Sequence, residues 1–110
     1  MNWKVRLAIE FIRSNLHREL TVNEIAAVVE LSHSRLHKLF KAELNIAPMR
    51  YHKMLRLQKA RELLESRPWK VERVRIEVGY QDHRHFFRDF KARFGVTPTQ
   101  HRFSLHKDDP

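Results

Sequence analysis

Val78–Arg102 reads V-G-Y-Q-D-H-R-H-F-F-R-D-F-K-A-R-F-G-V-T-P-T-Q-H-R. Gly79 takes positive φ without steric cost and so marks a break between two helices. Asp82 is placed to cap the helix that follows by accepting a backbone N–H. Phe86, Phe87, Phe90 and Phe94 fall on one apolar helix face, and His83, Arg84, Arg88 and Lys91 on the other. Gly95 stops that helix as the residue just past its end. Thr97-Pro98-Thr99-Gln100 opens another, with Thr as cap, Pro at the first helical position and Gln three residues on. A short helix, a tight turn and a second helix with a basic outer face outline a DNA-binding helix-turn-helix.

The rest of the chain repeats this pattern. Leu36, Phe40, Lys41, Asn45 and Pro48 match Phe86, Phe90, Lys91, Gly95 and Pro98 at an offset of about 50. Ahead of the caps the offset is 49, from Ile25-Ala26 to Val74-Arg75, so the second turn is one residue longer. Thr21-Val22-Asn23-Glu24 is a capping box. Ile25, Ala26, Val28 and Val29 are the expected buried residues of its helix. Ser32 caps the next helix, to Leu44, with Leu36, Leu39 and Phe40 inward. Ser34, Arg35, His37, Lys38 and Lys41 are left outward, with no acid among them. Asn45 stands in for a helix-ending glycine, as the next most tolerant residue for a left-handed conformation.

Before this first unit lies a helix over Asn2–Leu16, with a stripe of Trp3, Leu7, Ala8, Phe11 and Ile12. Between the units Pro48 begins a long helix ending near Ser66-Arg67-Pro68. Met54, Leu57, Ala60 and Leu64 line one side, with Tyr51, Leu55 and Leu63 beside them. Arg50, Lys53, Arg56, Lys59 and Arg61 form a basic side. Val71–Val78 and Thr97–Phe103 complete seven helices, and residues 107–110 are expected to fray. The expected class is all-α. Residues 1–46 form a first helix-turn-helix subdomain, 47–66 a linker helix and 67–110 a second subdomain.

Composition narrows the function. The 110 residues suffice for one domain, or two small subdomains, with a modest helical core. A net charge of +9 points to a polyanion, nucleic acid before an acidic membrane surface. The acids are scattered among the bases, which argues against a disordered basic tail. Without cysteine there is no disulfide or thiolate metal site. No apolar run approaches the roughly 18 residues of a membrane span, and no signal peptide is evident. The expected placement is the bacterial cytoplasm, at the nucleoid.

Chemistry at a catalytic centre finds no support. No Ser/His/Asp set or carboxylate pair stands in a motif, and two glycines cannot build a Gly-rich phosphate loop. His33 and His37 have metal-binding i, i+4 spacing but no third ligand in sequence reach. His83 and His85, two apart, lie on different faces. The Phe86/Phe90/Phe94 stripe has core spacing, whereas base-stacking aromatics would need to be exposed. No enzyme activity, metal or cofactor is expected.

The pattern G-Y-x-D-x-x-x-F-x-R-x-F-K-x-x-F-G-x-T-P, followed by His101-Arg102, resembles the C-terminal signature of the AraC/XylS family of bacterial transcription regulators. The resemblance runs from about Leu7 to Arg102. It implies two helix-turn-helix units joined by a long helix, a double-stranded DNA partner, and gene activation through RNA polymerase. Many members add a ligand-sensing domain. The chain is therefore expected to be a stand-alone regulator or the DNA-binding part of a longer one.

Carried over by position, Ser34, Arg35, His37 and Lys38 face base edges from the first unit. His83, Arg84, His85 and Arg88 do so from the second. Arg and Lys suit guanine O6/N7, and His can donate to the same acceptors. Lys41, Arg50 and Lys91 are expected on phosphates. A linker helix of roughly 18 residues is about 27 Å long. That compares with about 34 Å for one DNA turn. Two recognition helices at its ends would reach successive major grooves, the shortfall being met by DNA bending.

The rival readings are a sequence-indifferent architectural protein and a cationic protein-interaction module. The architectural protein would explain the charge but not the two capped repeats. Four positions depart from the family pattern: Glu30, Asn45, Arg75 and His101. Arg75 stands where a small residue would let two helices approach. It is expected to snorkel outward or loosen the packing. Its replacement by Ala is expected to leave stability unchanged or raise it.

Overall fold

The computed structural model describes residues 1–106 and is helical throughout its regular structure. The helices are α1 (Trp3–Ser14), α2 (Val22–Val28), α3 (His33–Leu44), α4 (Pro48–Ser66), α5 (Val71–Glu77), α6 (His83–Phe94) and α7 (Pro98–His106). The ends of α1 and α7 lie within a few residues of the expected ones. Residues 107–110, expected to fray, lie outside the described residues.

Most helix starts are built as their sequences dictate. Thr21 and Glu24 form a reciprocal capping box on α2. The Arg18 guanidinium beside Glu24 holds its carboxyl below the usual range. Ser32 caps α3 through the Arg35 N–H, and Asp82 caps α6 through the His85 N–H. Thr97 and Gln100 exchange the same pair of bonds at the start of α7. α5 differs, since Lys70 supplies no side-chain cap.

The chain forms two compact units, Met1–Leu55 and Arg56–Pro110. In the first, Val5, Ala8, Ile12, Leu20, Ile25, Ala26, Val29, Leu36, Phe40, Tyr51 and Leu55 form the core. Two expected members are outside it. Trp3 is 65% exposed, because the buried stripe of α1 runs through Val5, Ala8 and Ile12 and leaves its first residue off the edge. Val28, at the end of α2, is also exposed, and Val29 fills the core in its place. The second core joins Leu57, Ala60, Leu64, Val74, Val78, Tyr80, Phe86 and Phe90.

Because α4 serves both cores, its buried positions are not one stripe. Tyr51, His52 and Leu55 are buried, and so are Arg56, Leu57, Ala60 and Leu64. The expected basic side is therefore broken. Arg50, Lys53, Lys59 and Arg61 are exposed, whereas Arg56 is buried. Its Nε donates to the Val78 carbonyl at 2.8 Å, and its guanidinium lies 4.2 Å from the Tyr80 ring centroid. Buried His52 lies with Nε2 3.3 Å from the carbonyl of Asn15, the residue that caps the C-terminal end of α1. A carbonyl only accepts, so this nitrogen carries the proton.

The two helix-turn-helix turns are built alike. In the first, the Leu31 N–H reaches the Ala26 carbonyl and the Glu30 N–H the Ala27 carbonyl. In the second, Tyr80 bonds to Arg75 and Gly79 to Ile76. This is the Schellman pairing, which needs a left-handed residue after the helix. Gly79 meets that need at φ +79°, and Glu30 at φ +54°. A left-handed conformation costs a non-glycine L-residue roughly 1–2 kcal/mol. Glycine loses part of that gain to its greater freedom when unfolded. Glu30→Gly is thus expected to stabilise the first unit by about 0.5–1 kcal/mol. A thermal melt that falls instead would show that the Glu30 side chain supports the turn. Asn45 ends α3 at φ +58°, as expected of its glycine-like position, and Gly95 ends α6 at φ +82°.

Arg75 overturns the expectation placed on it. Its guanidinium neither snorkels outward nor loosens the turn, but ties it. Nη1 donates to the Tyr80 carbonyl at 2.5 Å, and Nη2 meets Glu72 Oε1 at 2.6 Å. The Arg75 side chain is 13% exposed. Arg75→Ala removes a charge-assisted bond to a part-buried carbonyl, which contributes roughly 1.5–3 kcal/mol at most. The gain in helix propensity offsets a few tenths of that. A net loss of about 1 kcal/mol is expected, seen as a Tm lower by roughly 4–8 °C for a unit of this size.

Candidate nucleic-acid interface

α3 exposes a continuous polar face. Leu36 and Phe40 are buried and Leu39 is half-buried, which turns Ser34, Arg35, His37, Lys38 and Lys41 to solvent. All five residues expected outward on this helix are outward. A shallow open groove of about 430 Å³ is lined by His33, Ser34, His37 and Lys38. Its lining is mostly apolar, and the polar atoms of Ser34, His37 and Lys38 lie along it as donors for a polyanion's oxygen atoms or base-edge acceptors. Among the described residues, no cluster of three or more His, Cys, Asp or Glu is placed to hold a metal ion.

α6 presents the corresponding face of the second unit. Phe86 and Phe90 are buried, with ring centroids 5.9 Å apart, and Phe90 lies 4.7 Å from Phe94. His101 packs 6.0 Å from Phe90 and sets Nε2 3.2 Å from Glu65. His83, Arg84, His85, Arg88 and Lys91 are all exposed.

Three of these residues are held by neighbours. His83 stacks on Phe87 at 4.0 Å, with Nδ1 3.9 Å from Glu72. His85 places Nδ1 2.5 Å from the Asp82 carboxylate. The His85 backbone N–H, followed by its ring, holds the Asp82 carboxyl below the usual range. The cap is therefore ionised near neutral pH and keeps its full attraction for the helix start. Arg88 Nε donates to Asp89 Oδ1 at 3.1 Å. The expected phosphate contacts Lys41, Arg50 and Lys91 are exposed.

Asp89 is not a simple outer-face acid. Its side chain is 11% exposed, and Oδ2 accepts from the Tyr80 hydroxyl at 2.9 Å. Burial, and then the bond to Asp89, push the Tyr80 hydroxyl well above the usual tyrosine range, so it stays a donor. Periodicity missed both residues because the contact joins positions nine apart across a turn. It missed Arg56 for a related reason: the partner carbonyl lies 22 residues away. The one local hint was that His52, Arg56, Ala60 and Leu64 follow i, i+4 steps.

Two helix-turn-helix units, each with a capped second helix exposing an acid-poor, cationic face, define a DNA-binding protein of the double helix-turn-helix class. A family model described as "Helix-turn-helix domain" matches residues 25–103. The chain belongs to the AraC-type helix-turn-helix family.

Its relatives agree. It is 30% identical over 108 residues to the lactose operon transcription activator of Staphylococcus xylosus, covering 96% of this chain and 39% of that protein. It thus spans about two-fifths of that relative. It is similar to a probable AraC family transcriptional regulator from Rhodopseudomonas palustris, with 29% identity and a TM-score of 0.80. That match covers 99% of this chain and 100% of the other. It also shares its fold with the DNA-binding domain of AdpA, a global transcriptional factor solved with a target DNA. There the TM-score is 0.90 at 20% identity, over 97% and 96% of the two chains.

Among the described residues no helix is long and apolar enough to cross a membrane.

Proposed function

We propose that the chain is the sequence-specific DNA-binding part of a bacterial transcription regulator, acting at promoters as an activator. It sets α3 and α6 into successive major grooves of double-stranded DNA. The observation that carries this reading is the repeat itself: two Schellman-closed turns, each followed by a capped helix whose exposed face is cationic. Ser34, Arg35, His37 and Lys38 read bases from α3, and His83, Arg84, His85 and Arg88 from α6. Lys41, Arg50 and Lys91 neutralise phosphates, a contribution that weakens with salt.

The reading includes no catalytic step, metal or cofactor. It places the chain at the nucleoid in the cytoplasm, with RNA polymerase as the protein partner. A ligand-sensing domain elsewhere in a longer chain would supply the signal.

Selection of bound sequences from a random pool, followed by affinities for selected and random DNA at one stated salt concentration, tests the reading. Specific regulators exceed their non-specific affinity by about 10³–10⁷-fold. A ratio near one would make the chain a sequence-indifferent architectural protein. Arg84→Ala and Arg88→Ala are each expected to cost about 1–3 kcal/mol on the selected site and to relax the preference at the base each reads. Equal weakening on every sequence would reduce both residues to phosphate contacts.

A further inference from the structure

The proposed base-reading helix α6 carries a relay from core to surface. Arg56 donates to the Val78 carbonyl and lies against the Tyr80 ring. That ring also packs 5.3 Å from Phe86. The Tyr80 hydroxyl donates to Asp89 Oδ2, and Asp89 Oδ1 accepts from Arg88 Nε. Exposure rises along the path, from 7% for Tyr80 to 11% for the Asp89 side chain and 64% for that of Arg88.

An exposed ion pair by itself adds little stability. Orientation is another matter. A free arginine side chain carries much rotamer freedom, which is lost when its planar fork docks on a guanine. Holding Nε removes part of that freedom beforehand. It also leaves the two terminal nitrogens, the pair that can fork onto guanine O6 and N7.

The first unit offers an internal comparison. At the repeat offsets Arg88, Asp89 and Tyr80 correspond to Lys38, Leu39 and Leu31. No carboxylate or hydroxyl stands at those places. Lysine is a flexible point charge without a planar fork.

We propose that Tyr80 and Asp89 are positioning residues that present the Arg88 fork to a guanine in one orientation, so that base discrimination is concentrated in the half-site read by α6. This rests on the reading of α6 as a base-reading helix.

The test uses the full chain and a selected duplex, with each base pair varied in turn. Arg88→Ala first identifies the base pair that Arg88 reads. At that pair, Tyr80→Phe and Asp89→Asn are each expected to lower discrimination by about 3–10-fold, a part of what a bidentate contact supplies. Tyr80→Phe keeps the ring and its packing but removes the donor to Asp89 Oδ2, so a modestly lower Tm is expected. Its affinity for random DNA and its preferences in the α3 half-site, measured well below that Tm, should match the parent. Adding Tyr80→Phe to Arg88→Ala should lower discrimination no further. If both variants keep full discrimination while Arg88→Ala loses it, the positioning role is wrong and α6 still reads bases. If Arg88→Ala leaves every preference intact, the base-reading role of Arg88 fails, and the relay with it. A uniform loss over all sequences, measured well below the Tm, would make the Tyr80 hydroxyl structural only and overturn the proposal.

Discussion

Two alanines inserted between Leu55 and Arg56 are expected to lower full-site affinity about 100-fold or more, while affinity for either half-site persists. α4 is one unbroken helix over Pro48–Ser66. Two added residues turn everything after them by about 200° and advance it by about 3 Å. Under the proposed function, two weakly binding units gain from being joined, because the second engages at high effective concentration once the first is seated. That gain is about 10²–10⁴-fold when geometry allows both to bind, and is lost when it does not. The insertion point matters. The core of the first unit takes α4 residues up to Leu55, and that of the second begins with Leu57, beside buried Arg56. An insertion at Lys59 would instead separate Leu57 from Ala60 and damage the second core. Gel shifts on full and half sites, with a melt to confirm folding, check the result. Undiminished full-site affinity would mean that one unit alone reads DNA, or that α4 does not hold the pair in register.

Phe90→Ala is expected to unfold the second unit and leave the first folded. Phe90 is fully buried and touches Phe86, Phe94 and His101. Truncating a buried Phe costs about 3–5 kcal/mol through lost transfer energy and the cavity left behind. A unit of half this chain's length has roughly that much stability in total. The first core contains none of the residues of the second. Amide NMR spectra should therefore keep the dispersed peaks of residues 1–55 and lose those of the second unit, and full-site binding should vanish. The mirror substitution Phe40→Ala should give the reverse pattern. Loss of all dispersed peaks in either variant would show that the units fold as one.

The seven helices of the described residues, the Asn45 and Gly95 stops and nearly every cap were legible in the sequence. Each depends on neighbours within four residues, where capping chemistry and helical periodicity act. The outward faces of α3 and α6 were legible for the same reason: burying Leu36 and Phe40, or Phe86 and Phe90, leaves the other side of a helix to solvent. The repeat showed that this happens twice, and its resemblance to a known family supplied the proposed site residues by position.

Tertiary structure alone decided which polar groups are withdrawn from that surface. Arg56 belongs by composition to a basic helix face, yet a carbonyl 22 residues away and a tyrosine ring claim it. Arg75 looked like a misfit in a close helix contact until the Tyr80 carbonyl and Glu72 proved to be its partners. Asp89 lies on a helix whose other charged residues are cationic, yet the Tyr80 hydroxyl reaches it across the turn and holds it part-buried. A charged side chain's surroundings depend on groups brought together by the turn and the core, and no local pattern encodes them. Hydrophobic periodicity determines which way a helix faces, whereas the folded chain decides which of its charges remain available to a partner.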